Sequence, residues 1–213
     1  MPKIVDHAAR REELAGAVWR LVGREGIAGA SVRGVAAESG WSMGAIRHYF
    51  STHDELLRFA LEVMTRRISE RVLALYSDHR SGDADRARLA LEQLLPIDSD
   101  RTVEVLVWLG FMTRARIDPD LDEIRLEGWR GERFICRLAV ADTTGVPLPA
   151  SLEAQLAPQL EEAAARVHLG IDGISIQAAI YPEFWPADQQ RTAVATLLAE
   201  ATDPHAMSPR SDA

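Results

Sequence analysis

The sequence predicts an all-α fold, a three-helix head followed by a larger helical bundle, about nine helices in all. Three observations predict it. Apolar residues recur at i, i+3, i+4 along most of the chain, and no stretch keeps a two-residue alternation. Ser, Thr and Asp stand ahead of these periodic runs and Gly or Pro behind them, which are helix start and stop signals. Hydrophobic residues make up 47% and charged residues 26% of 213, so the chain can bury a core and does not read as disordered.

Helix one is expected from Asp6 to Glu25, with Leu14, Ala17, Val18, Leu21 and Val22 as its buried stripe. Gly26 follows as the C′ residue, with Ile27 folding back as hydrophobic partner. Ser31 caps the second helix, where Val32, Val35 and Ala36 share a face. Ser39-Gly40 ends that helix, and Gly40 can take the left-handed conformation of a sharp turn. Ser42 caps a third, short helix reaching Phe50. Trp41 and Ile46 have the spacing of a hydrophobic staple around that cap.

Thr52 and Glu55 form a capping box for a long helix, and Asp54 favours its dipole. That helix carries Leu56, Leu57, Phe59, Ala60, Val63, Met64, Ile68, Val72 and Leu75 and ends near Tyr76 to His79. Ser81-Gly82-Asp83 reads as a loop. Arg86 to Leu95 is a short helix stopped at Pro96. Asp100 caps Arg101 to Arg116, and Asp118-Pro119 opens a helix reaching Asp142. A loop over residues 143–149 follows. Ser151 opens a long helix to Tyr181, kinked at Pro158. Pro182 to Pro186 is a turn, Ala187 to Ala201 the last helix, and 202–213 a polar, flexible tail. Residues 1–52 form the head and residues 53–201 the body.

Two short helices joined by a glycine turn make a helix-turn-helix, whose second helix enters the major groove of DNA. Ser42, Met43, Gly44 and Ala45 form the turn that approaches base edges. Gly44 and Ala45 are small and allow close approach. Arg47 can pair with guanine or a phosphate, and His48 and Tyr49 can hydrogen-bond phosphate oxygens. Ser31 and Arg33 open the preceding helix and are further contacts. An ordinary helical hairpin with Tyr49 and Phe50 as packing aromatics gives the same pattern.

The run GWSMGAIRHYFSTHDELL resembles the TetR (tetracycline-repressor) family of transcriptional regulators, across about Arg10 to Leu61. The resemblance implies double-stranded operator DNA as partner, a homodimer, and a small-molecule effector bound in the body. Two positions depart from the family pattern. Gly34 stands where an acidic or polar residue is usual, and a mid-helix Gly costs about 1 kcal/mol relative to Ala. His53 stands where a lysine usually touches phosphate. The run EVLVWLGFMTRARIDPDL in the body resembles the choline-sensing, BetI-type branch.

Net charge is −8, which argues against a surface coated by nucleic acid. Residues 1–60 hold eight Lys/Arg against seven Asp/Glu, a net of +1 that leaves −9 for the rest. The acidic part is expected to face away from DNA. Arg10 and Arg11 at the start of helix one are equally a phosphate-touching arm or a solvated end. The single cysteine, Cys136, excludes an internal disulfide framework and reads as a small core residue in a reducing, cytoplasmic setting. No signal peptide and no membrane span is expected. Enzyme motifs are missing: no GxxxxGK[ST] and no HExxH. Gly40-Trp-Ser-Met-Gly44 matches GxSxG literally, but in a helix-turn-helix context where an elbow needs strand-turn-helix.

In the body, Trp108, Phe111 and Met112 lie on a helix that is apolar on nearly every side. With Met64, Ile68, Trp129 and Phe134 they are expected to line an effector pocket, although each aromatic alone reads better as core. Glu104 and Trp108 share a face suited to a cation, but a partly exposed first-turn acid is the favoured reading of Glu104. His168 and Asp172 have the spacing of a two-ligand metal face, which is no site without further ligands; no metal or cofactor is expected. Gly170, Gly173 and Ile174 on one helix, with Val194 and Leu198 on the last, are expected to form the dimer contact.

The sequence therefore points to a dimeric repressor released from a palindromic operator by a small molecule. A helical binding protein that never reads DNA, and a ligand-insensitive DNA binder, are the alternatives.

Overall fold

The computed structural model describes residues 7–26, 29–77 and 84–203. Ile27, the 81–83 loop, the tail beyond residue 203 and the His53 side chain lie outside the described residues. Among those described, every regular element is helical. The head is α1 (His7–Glu25), α2 (Val32–Ser39) and α3 (Met43–Tyr49). The body follows as α4 (His53–Ser77), α5 (Ala84–Glu92), α6 (Ser99–Ala115), α7 (Asp122–Thr144), α8 (Pro158–Ile180) and α9 (Ala187–Ala201). None of these helices is long and apolar enough to cross a membrane.

Caps set the head's geometry. Ser31 Oγ accepts from Gly34 N at 3.0 Å and Ser42 Oγ from Ala45 N at 3.1 Å. Between the helices Gly40 sits at φ 73°, left-handed backbone that a side chain rarely tolerates. Thr52 Oγ1 accepts from Glu55 N at 3.1 Å, while the Glu55 carboxylate reaches back to Ser51 N at 2.6 Å. Gly34 has a steric explanation. A Cβ there would stand 2.5 Å from the Gly29 carbonyl oxygen, so the turn before α2 is folded over a position only glycine fits.

Two apolar cores hold the chain together. The first joins α1, α2, α3 and the N-terminal half of α4 to Val107, Phe111 and Ala115 of α6. The head therefore shares its core with a body helix. Gly23 of α1 makes that contact close, since a Cβ on it would meet Val103 Cγ2 at 2.8 Å. The second core holds α5, α7, α8 and α9 around Val140, Val167, Ile171 and Val194. At 25 residues, α4 is about 37 Å long and runs from one core to the other.

Ion pairs tie neighbouring helices together. Arg71 on α4 donates to both Glu104 oxygens on α6, at 2.9 and 2.5 Å, and to Gln93 Oε1 at 2.9 Å. Glu104 is 4% exposed, which corrects the expectation of a partly exposed acid. A buried carboxylate needs a partner, and Arg71 supplies it. Arg20 and Arg24 of α1 both pair with Glu38 of α2 and hold its carboxyl below the usual range.

Several boundaries differ from the sequence reading for physical reasons. α8 starts at Pro158, not Ser151: proline sits at the first helical position, and Ala157 before it is extended at φ −59°, ψ 150°. The preceding segment is held by Arg137 donating to Leu152 O at 2.9 Å and Leu156 N donating to Glu161 at 2.8 Å. Asp98, not Asp100, caps α6, accepting from Arg101 N at 2.9 Å. Asp118-Pro119 opens a 3-10 turn, Pro119–Leu121, and α7 then runs through Thr144 to a left-handed Gly145.

Gly34→Ala separates propensity from packing. Propensity alone favours Ala by about 1 kcal/mol. The contact with Gly29 O is expected to outweigh that and destabilise by about 1–3 kcal/mol, the range of overpacked sites. A lower midpoint in thermal or urea unfolding checks the sign.

Candidate nucleic-acid interface and internal cavity

α3 is anchored by one residue and presents the others. Ile46 is fully buried, and Tyr49 and Trp41 pack beside it with ring centroids 5.7 Å apart, edge to face. Ser42, Met43, Gly44, Arg47 and His48 are exposed, and Ala45 and Tyr49 are half-buried. Ser31 and Arg33 are exposed at the start of α2. A Cβ on Gly44 would meet only Ser42 Oγ, at 4.0 Å, so the first turn is open to close approach. The cap bonds use the Ser31 and Ser42 oxygens as acceptors and leave each hydroxyl proton to donate outward. Arg10 lies over the Trp41 ring at 5.3 Å and Arg11 over the Phe50 and Phe59 rings at 5.4 and 4.5 Å, so both cations are seated on aromatics of the first core.

A cavity of about 180 Å³ lies at the seam between the two cores. Its walls are α4 (Met64, Ile68, Val72), α6 (Trp108) and α7 (Glu132, Phe134, Ile135), with Leu152 from the segment before α8. Gly128 makes room for the indole: a Cβ there would stand 2.4 Å from Trp108. Gly131 on the same wall has nothing within 4 Å of where a Cβ would be.

Of the residues expected to line an effector pocket, Met64, Ile68, Trp108 and Phe134 do so. Glu104 borders a smaller adjoining cavity with Trp108, its carboxylate already taken by Arg71. Phe111 and Met112 point the other way. Phe111 is 1% exposed in the head core, stacked behind Trp108 at 6.4 Å, and Met112 packs on the same core. Trp129 is 47% exposed on the far side of α7, its ring 5.6 Å from His168.

Glu132 was missed. It lines the cavity, and its Oε2 lies 3.4 Å from His168 Nε2, which in turn lies 3.9 Å from Asp172 Oδ2. Desolvation holds the Glu132 carboxyl above its ordinary range, opposed by His168 and assisted by Asp172. Burial likewise raises Asp172. Helical spacing offered the signal: Gly128, Glu132, Ile135 and Leu138 share a face of α7. Cys136 is fully buried behind them, and burial pushes its thiol up.

The expected dimer residues divide. Gly170 faces α9 within the chain, where a Cβ would meet Leu197 at 2.4 Å. Ile174, Val194 and Leu198 belong to the body core. They are buried against their own chain, whereas the sequence reading places them in the contact between two chains. Gly173 is about 60° further around α8 and opens outward, with nothing within 4 Å. It lies in a stripe with Leu169, Ile176 and Ile180, which are 73%, 44% and 51% exposed.

Comparison with known proteins agrees with this geometry. Residues 14–59 match the tetR family of bacterial regulatory proteins, and residues 83–203 match the C-terminal domain of BetI-type transcriptional repressors. The HTH-type transcriptional regulator PksA of Bacillus subtilis (strain 168) is 32% identical over 184 residues, 85% of this chain and 84% of that one. The crystal structure of a transcriptional regulator from Rhodococcus sp. Rha1 superposes with a TM-score of 0.73 at 32% identity, covering 90% of this chain and 95% of that one. A regulator from Saccharomonospora viridis, solved in complex with choline, gives 0.73 at 22% identity, covering 90% and 96%. The chain belongs to the TetR family of DNA-binding transcriptional regulators, with a body of the BetI type.

Proposed function

We propose that this regulator is a cytoplasmic homodimeric repressor that leaves a palindromic operator when a small molecule fills the seam cavity. The observation that carries the reading is the shared core. Trp108 lines the cavity from α6, and the Phe111 ring behind it packs in the core of the head. A ligand that fits the cavity only in the DNA-incompetent arrangement shifts the population away from the operator. The lining is apolar apart from Glu132 and small hydroxyls, which suits an apolar body carrying one cationic or hydrogen-bond-donating group.

On the DNA side, Arg47 is the base or phosphate contact, and the Tyr49 and His48 polar groups set register. Arg33 and Ser31 are further contacts to the DNA backbone. In a mobility-shift assay on the DNA upstream of its own gene, Arg47→Ala is expected to weaken binding by about 5- to 150-fold, the equivalent of 1–3 kcal/mol, and to reduce the log–log salt slope by about one. Tyr49→Phe weakens it less. Unchanged affinity in both variants rejects this helix as the reading element.

For the dimer, the outward stripe Leu169, Gly173, Ile176 and Ile180 of α8 replaces the residues found inside the chain. An exposed apolar row of this length on one helix face suits a two-fold, self-complementary contact. Position 173 has room for a side chain in the monomer, so Gly173→Arg is expected to fold. It should shift sedimentation toward monomer and reduce operator affinity sharply. A variant that stays dimeric places the interface on another surface.

A further inference from the structure

Glu132, His168 and Asp172 converge between α7 and α8, and each offers one ligand atom within 4.8 Å of the other two. We propose that these three side chains hold one divalent transition-metal ion of the zinc class, with water in the fourth position. The distances are those of a nearly assembled site. Ligand atoms around tetrahedral zinc, bonded at about 2.0–2.1 Å, stand about 3.3 Å from one another. The His168–Glu132 separation is 3.4 Å and the His168–Asp172 separation 3.9 Å. Asp172 must move about 0.6 Å toward His168, and the two carboxylates must draw together. Asp172 is half exposed and free to turn, and their mutual repulsion is what a dication removes.

The chemistry of the set favours a metal over a simple hydrogen-bonded histidine. An imidazole with two carboxylates suits zinc and its neighbours better than magnesium or calcium, which prefer all-oxygen sites. A 3.4 Å separation is long for a charge-assisted hydrogen bond, which runs near 2.7–2.9 Å. His168 itself is 3% exposed. Arg133 lies over Trp129, 5.2 Å from the ring centroid.

Position gives the ion a consequence. Glu132 is part of the cavity wall, and Asp172 adjoins Gly173 on the outward stripe of α8. A metal would fix the carboxylate that faces the cavity and tie it to the helix that carries the stripe. The metal site does not rest on the DNA reading.

The test uses full-length chain without an affinity tag, stripped with chelator and titrated with Co²⁺ as a spectroscopic stand-in for zinc. One Co²⁺ per chain is expected, with the intense visible bands of a four-coordinate ion, displaced by Zn²⁺. Asp172→Asn is isosteric and half exposed. It should keep its helical circular dichroism, lose the bands and bind at least ~10-fold more weakly, since even losing an outer-shell partner has that effect. Glu132→Gln is a second such variant. A wild-type titration without four-coordinate bands, or bands that persist unchanged in both variants, overturns the proposal.

Discussion

The contact on which the architecture depends is α1 against α6. Gly23 brings the two helices close enough that Val103 lies where a side chain would otherwise be. Around it Val107, Phe111 and Ala115 join the apolar core of the head. Burying Val107 and Phe111 contributes about 1.5–3 kcal/mol each, so the contact is not a loose inter-domain surface. The head and α6 form one packed unit, and close-packed units transmit displacement instead of absorbing it. α4 reinforces the coupling, because its first half lies in the head core and its second half reaches the body core.

The cavity occupies the place where these two cores do not meet. Trp108 has a face on each side of the problem: it stacks on Phe111 of the head core and borders the cavity. Gly128 permits that pose by leaving the indole its space. The Arg71–Glu104 pair closes the neighbouring edge of the seam between α4 and α6. Occupancy of the cavity therefore bears on three helices at once, two of which carry core residues of the head. Allostery in this frame needs no long wire, only two packings of one seam that a ligand distinguishes.

Much of the head was legible in the sequence because its determinants are local. Ser31, Ser42, the Thr52–Glu55 box and Gly40 act within a few residues of themselves, and each does so in the structure. The body was less legible because its decisions are tertiary. A helix apolar on nearly every side, such as α6, does not say which side faces a cavity, so its sequence groups Phe111 and Met112 with Trp108 although they face the head. Gly170 and Gly173 read alike in sequence, yet one accommodates Leu197 of the same chain and the other opens outward. Glu132 was overlooked because an acid on a helix is ordinarily solvated, and only the neighbouring helix reveals His168 beside it. Pro158 reads as a kink in sequence, but the extended residue before it makes it a first helical position.

The central claim, that filling the seam cavity weakens the DNA-binding arrangement, is testable without knowing the effector. Gly131 lines the cavity and has open space where a Cβ would be, so Gly131→Phe introduces a permanent occupant. The measurement is operator affinity of the purified variant against wild type, with helical content and thermal midpoint recorded alongside. The account predicts a folded protein whose operator affinity is reduced by at least ~5-fold, the lower bound of a typical coupling between sites. A folded Gly131→Phe variant that binds operator as tightly as wild type would contradict it.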